Sequence, residues 1–356
     1  MNVLHIVGTR PNLVKLVPVY RALAAAGAHQ LVVHTGQHHD AVMSAIFFDQ
    51  FGLPQPTHNL GVAGGSHTEQ TARTLLALEP LLVANQPDWV VLYGDVNATL
   101  AGALAAAKLG LRMAHVEAGL RSFDRTMPEE LNRLVVDRLA DLLLTPSEDA
   151  NAHLRHEGVP EDQIVFVGNV MIDTLLAFLP QARQTPLPPR PERYLLATLH
   201  RPGNVDTPTQ LLGWLTAFEA IATHQAPVIF PVHPRTRQRA EAAGWAPRTP
   251  HLHLWAPQGY LEFLRLQAEA ALVLTDSGGV QEETTALGVK CLTLRPNTER
   301  PVTLTHGTSR LFPLDPAGLP DAVASYLAEP LAPHRMPPLW DGHAAQRVAA
   351  ALLARP

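Results

Sequence analysis

The sequence predicts an α/β fold built from two doubly wound, Rossmann-like domains. Three observations predict it. Short apolar runs alternate with helical stretches, and this alternation breaks at a proline-rich stretch and then restarts. The runs are continuously apolar, which marks strands covered on both faces of a parallel sheet. The chain has 356 residues, room for two domains of ordinary size.

In the first half Val3–Val7, Leu31–Val33, Trp89–Leu92, Arg112–Val116 and Leu142–Thr145 read as strands. Leu13–Ala26, Glu69–Val83, Ala98–Leu109 and Glu130–Leu139 read as helices between them. Strands and helices joined by short connections are βαβ units. Pro180, Pro186, Pro188, Pro189 and Pro191 then read as a stiff exposed connector. Beyond it Leu195–Thr198, Val228–Phe230, Leu252–Trp255, Ala271–Thr275 and Cys291–Leu294 repeat the strand pattern, and Ala344–Leu353 reads as a terminal helix. The expected division is a first domain over residues 1–170, a linker over 171–191, a second domain over 192–340 and a final helical segment over 341–356.

Composition narrows the function. Lys plus Arg number 27 and Asp plus Glu 32, a net charge of −5 that argues against gripping nucleic acid through many phosphates. Hydrophobic residues make up 46% and charged residues 17%, the balance of a globular chain with ample core. Cys291 is the single cysteine, which excludes an intrachain disulfide and a cysteine-built zinc site and suits a reducing cytosol. Arg10 and Lys15 interrupt the N-terminal apolar run too early for a signal peptide. No uncharged run reaches membrane-spanning length. A cytoplasmic location without membrane contact is expected, and the Asn97-Ala98-Thr99 sequon reads as chance.

In open α/β sheets ligands bind beyond the carboxyl ends of the strands, so the loops there are the place for chemistry. Two such sheets are expected to face each other across a cleft. The first strand runs into Gly8-Thr9-Arg10-Pro11, with Lys15 one turn into the next helix. Later strand ends carry Asp95, Glu117 and His200. Ser277-Gly278-Gly279 reads as an anion cradle, because glycines admit a close ligand and a helix N-terminus offers free amides. It reads equally as an ordinary loop with a helix cap. Arg10, Lys15 and Arg300 are cations that would favour a diphosphate there. The dinucleotide fingerprint and the P-loop are both absent from the sequence.

Asp95, Glu117 and Glu129 are carboxylates that, crowded together, would suit acid and base work. Glu129 reads also as a favourable charge at a helix start. Glu117 directly follows the apolar run Met113–Val116. His200 can exchange protons near neutral pH or donate to a departing phosphate. Among 18 histidines, His38-His39-Asp40 and His251–His253 lack metal-ligand spacing and read as surface groups, so no metal is expected. Arg133 reads as a helix-surface ion pair or as a carboxylate orienter, and Phe263 as core or as a ligand platform.

Taken in order, Gly8–Pro11, Gly94-Asp95, His115–Arg121, Pro128-Glu129-Glu130, Gly168-Asn169, His200-Arg201, Thr275–Glu283 and Thr298–Pro301 resemble the UDP-N-acetylglucosamine 2-epimerase family in its non-hydrolysing form. The resemblance implies the glycosyltransferase-B architecture, with the last helix crossing back to the first domain, and a homodimer. It implies a UDP-sugar substrate contacted by Arg10, Lys15, Arg133, Gln258, Phe263, Ser277, Gly278, Gly279, Glu283 and Arg300. It implies Asp95, Glu117, Glu129 and His200 as the catalytic group, with no redox cofactor. The family route expels UDP to leave a 2-acetamidoglucal and re-adds it with C2 protonated from the other face. Asn12, Val96, Asn97 and Gly203 depart from the commonest pattern. The stretch over residues 36–48 is similar to a branch without a second, activating substrate site. A hydrolysing epimerase, an epimerase of a 3-acetamido or uronic-acid UDP-sugar, a glycosyltransferase of the same fold and a non-catalytic sugar-nucleotide sensor are the alternatives.

Overall fold

A computed structural model describes residues 1–36, 48–330 and 335–355. The chain divides into two compact units, one formed by residues 1–174 with 338–356 and the other by 175–337. The stretch over 37–47, which holds His38, His39 and Asp40, lies outside the described residues, so its expected surface and branch character has no structural counterpart here.

The first unit holds a parallel sheet of β1 (Asn2–Val7), β2 (His29–His34), β3 (His58–Asn59), β4 (Trp89–Tyr93), β5 (Met113–Val116), β6 (Leu142–Thr145) and β7 (Ile164–Phe166), in the order β3-β2-β1-β4-β5-β6-β7. Its described helices are α1 (Arg10–Ala25), α2 (His67–Asn85), α3 (Asn97–Lys108), α4 (Pro128–Leu139), α5 (Glu148–His156) and the start of α6 (Val170–Ala182). Every residue of β4 is buried, because helices cover both faces of the sheet, and that is why the strand is apolar throughout. Each fully buried Val or Leu there contributes roughly 1.5–3 kcal/mol. Gly102 lets α3 lie close on the sheet, since a Cβ there would come within 2.7 Å of Leu92 and 2.8 Å of Ile6. The roughly 0.5–1 kcal/mol cost of a mid-helix glycine is offset by that packing.

The second unit repeats the scheme with β8 (Leu195–Thr198), β9 (Val228–Pro231), β10 (Leu252–Trp255), β11 (Leu272–Thr275), β12 (Cys291–Leu294) and β13 (Ser309–Phe312), in the order β10-β9-β8-β11-β12-β13. Its helices include α7 (Pro202–Val205), α8 (Pro208–His224), α9 (Pro234–Ala242), α10 (Tyr260–Glu269), α11 (Gly278–Leu287), α12 (Val302–Thr305) and α13 (Leu319–Ala328). Phe218 of α8 meets Phe230 of β9 edge to face at 5.6 Å on one side of this sheet. Leu196, Ile229 and Val273 pack with Leu266 and Val280 on the other side.

Three strands escape the sequence pattern, and all lie at or near sheet edges. β3 has only two residues, β7 is half-buried throughout, and β13 exposes Arg310 and Leu311. Half-covered strands such as β13 need no continuous apolar run, while β7, apolar as Ile-Val-Phe, is only three residues long. The expected linker over 171–191 requires correction. Its first part is α6, whose Val170–Leu179 run is apolar enough to bury. Pro180 stands near the end of the helix without ending it, giving up its own i→i−4 hydrogen bond. The boundary between the units falls inside this helix, between Thr174 and Leu175.

α14 (Ala344–Leu353) packs along α1 within the first unit. Asp173 caps it, accepting from the Ala344 and Ala345 amides at 3.2 and 2.7 Å. Trp340, just ahead of it, is buried and donates its indole N–H to the Pro146 carbonyl at 2.9 Å.

Candidate active site

In the first unit the site begins where β1 ends. Asn12 accepts from the amides of Gly8 and Thr9 at 3.1 Å each and donates to the Tyr93 carbonyl at 2.9 Å. One amide thus ties the β1 loop to the end of β4. Only a side chain that both accepts and donates can do this, which accounts for asparagine at that position. Arg10 is half-buried at the first turn of α1, where the helix already presents positive charge. A cation there gains most when an anion joins it.

Lys15 and Glu117 form a buried ion pair, their side chains 6% and 5% exposed. They line a small crevice with Pro146, Gly168, Asn169 and Val170. Lys15 is therefore engaged by a carboxylate of its own unit. Glu117 adopts φ 74°, the left-handed region. For a residue with a side chain this costs roughly 1–2 kcal/mol, strain of the kind that collects at working sites.

Asp95 follows β4 and keeps a fifth of its side chain exposed. Arg133 approaches its Oδ2 at 2.9 Å through both Nε and Nη2, and Asn132 donates to its backbone carbonyl at 2.8 Å. Arg133 also meets Glu130 at 2.5 Å. The surface ion pair expected of Arg133 is corrected, since the residue is 2% exposed and sits behind Asp95. Of the adjacent glutamates, Glu130 is buried and accepts from the Ser122 and Phe123 amides at 2.9 Å each, fixing that loop. Glu129 is half-buried in the first turn of α4, the place where a negative charge suits the helix.

In the second unit the strand ends of β8 and β11 meet through Asp276. His200 donates from Nδ1 to Asp276 Oδ1 at 2.8 Å, and its side chain stays 58% exposed. The same carboxylate accepts the Arg201 amide at 2.9 Å and the Asn204 side chain at 2.9 Å. Burial alone would raise the Asp276 carboxyl, but His200, Asn204 and the Arg201 amide outweigh it and hold it at about 2. An ionised partner on Nδ1 leaves His200 Nε2 facing outward.

α11 begins at Gly278, and Ser277 places no side-chain cap on it, so the first-turn amides keep their anion-binding character. The Arg300 guanidinium lies behind Gly278, held by Glu299 and by Glu282 at 3.0 Å. It is 6% exposed. A buried carboxylate set surrounds it. Burial would raise the Glu299 carboxyl, but Arg300, Arg295 and Arg201 hold it well below the usual range.

Glu283 is buried and accepts from Gln267 at 2.6 Å. Burial pushes its carboxyl up to about 7, with Gln267 and Tyr260 working against the rise. Gln258 donates to the Ala256 carbonyl at 2.7 Å. Phe263 is half-buried against the β-sheet cluster of Leu196 and Ile229.

Sequence reasoning gave no role to Asp276, Asn204, Glu130 or the His115–Asp137 pair. Asp276 carried a signal, since it directly follows a strand and precedes the glycine pair. Glu130 stands three residues before Arg133 on one helix, while Asn204 and the His115–Asp137 pair meet their partners across elements, where no spacing marks them.

The two parallel-sheet units define a chain of the glycosyltransferase-B class of fold. The sequence pattern of the UDP-N-acetylglucosamine 2-epimerase family matches residues 21–353, and the chain belongs to that family of epimerases. It is 42% identical over 322 residues to the UDP-N-acetylglucosamine 2-epimerase of Methanocaldococcus jannaschii, covering 87% of this chain and 88% of the relative. It is also 42% identical over 314 residues to the UDP-2,3-diacetamido-2,3-dideoxy-D-glucuronate 2-epimerase of Pseudomonas aeruginosa, covering 87% and 88%. The crystal structure of the Methanocaldococcus jannaschii enzyme in complex with UDP-GlcNAc and UDP superposes with a TM-score of 0.92 at 40% identity, covering 99% of this chain and 100% of that one.

Proposed function

We propose that this chain interconverts UDP-N-acetylglucosamine and UDP-N-acetylmannosamine by eliminating UDP and adding it back. The observation that carries the reading is the pair Asp95 and Glu117. They stand at the ends of the neighbouring strands β4 and β5, each held by a buried cation.

The C2 proton of the sugar is not acidic enough for simple abstraction. Breaking the bond from C1 to the diphosphate oxygen as the proton leaves C2 puts the electron pair into a C1=C2 double bond. UDP departs and a 2-acetamidoglucal remains. In the return step the diphosphate oxygen bonds to C1 and a proton reaches C2 on the opposite face. Removal and return on opposite faces need two placed acid-base groups, a task for carboxylates among Asp95, Glu117 and Glu129. The departing diphosphate needs positive potential, a task for the α11 amides, Arg10 and His200.

Incubation with UDP-N-acetylglucosamine in heavy water is expected to place deuterium at C2 of both sugars. Substrate that stays unlabelled after long incubation rejects the reading, and steady release of free UDP and N-acetylmannosamine favours hydrolysis instead. The relative that acts on a diacetamido-glucuronate supports a second reading, the same chemistry on a 3-acetamido uronic-acid UDP-sugar. Competing the two sugars for turnover decides between them.

A further inference from the structure

We propose that His115 and Asp137 are positioning residues for the carboxylate pair, with His115 acting as a doubly protonated strut; this rests on the catalytic reading of Asp95 and Glu117. His115 is the third residue of β5 and is wholly buried. Its Nε2 lies 2.7 Å from the Gly94 carbonyl oxygen, and its Nδ1 lies 2.6 Å from Asp137 Oδ1. A carbonyl oxygen can only accept. Asp137 is held as an anion through its other oxygen, which takes Arg121 Nη1 at 2.7 Å and the Gly119 amide at 3.0 Å. With Asp137 ionised, both contacts are hydrogen bonds only when each ring nitrogen carries a hydrogen; a proton on Asp137 Oδ1 would instead let a neutral ring accept at Nδ1. Beside the ionised carboxylate, a neutral ring would set a lone pair against an acceptor where water does not reach. Arg121 is in turn held by Glu157, at 2.7 Å on each of two nitrogens. His115, Arg121, Asp137 and Glu157 are then two cations and two anions in one closed set.

This set grips the backbone on both sides of the site. Gly94 immediately precedes Asp95, and Gly119 follows Glu117 by two residues. Both glycines have positive φ, 62° and 81°, and Glu117 between them has φ 74°. The loops touch, since a Cβ on Gly94 would come within 2.9 Å of Glu117 Oε2. Apart from Asp137, the amides of residues 117–119 are anchored through Glu117 and Ala118 on the Leu144 carbonyl. Loosening His115 or Asp137 removes one anchor from each loop. Reacting groups displaced by about 1 Å lose on the order of 100-fold in rate.

The first test is nitrogen NMR of the ligand-free, 15N-histidine-labelled protein, with His115 assigned by through-bond correlation. Both His115 ring nitrogens are expected in the protonated range, each coupled to a hydrogen. A pyridine-type nitrogen at His115 overturns the proposal. This readout needs no turnover, so it stands apart from any failure of the epimerase reading. The second test is kinetic. Asp137→Asn and His115→Gln are expected to lower kcat by roughly 100-fold while KM stays within about 3-fold. Wild-type kcat in a folded variant, or equal losses of kcat and UDP affinity, overturns the positioning role. If both variants fail to fold, the NMR result decides.

Discussion

Replacing Asp276 by asparagine keeps the shape of a buried side chain and removes its charge. The carboxylate holds His200 through Nδ1 and also binds the Arg201 amide and Asn204. Burial opposes ionisation, but these partners win and bring the group from its usual 3.8 to about 2. A displacement of that size corresponds to about 2.5 kcal/mol of stability at neutral pH. The folded value lies below the unfolded one, so the contribution is complete above the unfolded value and is lost as pH falls through the folded one. About half of it remains at pH 3 by the same relation. The asparagine variant has no such dependence, and any extra cost of its amide facing the His200 N–H is constant with pH. Urea denaturation is therefore expected to separate wild type from Asp276→Asn by at least about 2 kcal/mol at pH 7, with the gap about 1 kcal/mol narrower at pH 3. A gap that does not change with pH, or one under about 0.5 kcal/mol at pH 7, refutes the reasoning.

Two further outcomes follow from buried charge. Arg133→Lys supplies one compact ammonium where a planar fork now serves Asp95 and Glu130 together, so a loss of about 2–4 kcal/mol is expected with a kcat at least about tenfold lower. Urea denaturation and steady-state kinetics check this, and a variant within about 0.5 kcal/mol of wild type in stability and within twofold in kcat counts against it. Glu283 has its folded value raised to about 7 by burial, so ionising it costs stability as pH climbs from the ordinary glutamate range to that value. Glu283→Gln removes that penalty and is expected to be more stable than wild type by up to about 3 kcal/mol at pH 8 and by about 1 kcal/mol or less at pH 5. Thermal melts at the two pH values measure it, and an equal gain at both contradicts the assignment.

The central strands were legible because two-sided burial demands an unbroken apolar run, as in Trp89–Tyr93. β13 was not, since a half-covered strand tolerates polar residues such as Arg310, and β7, though apolar as Ile-Val-Phe, is only three residues long. Pro180 misled the linker reading, because the apolar run before it buries well enough to carry the helix past the proline. The polar residues at the strand ends could be named from order alone. Their partners could not. That Lys15 answers Glu117, that Arg133 answers Asp95 and that Asp276 holds His200 are facts of the fold, set by which loops adjoin at a sheet edge.

The return of residues 338–356 to the first unit has a bearing on synthesis. α14 lies along α1, so the unit that starts first is the one that finishes last. The residues of the second unit are all synthesised while the opening half still lacks its closing helix. Chains stopped short of Trp340 would leave the face of α1 bare, and are expected to be cleared by proteases even though every residue named in the catalytic group has been translated.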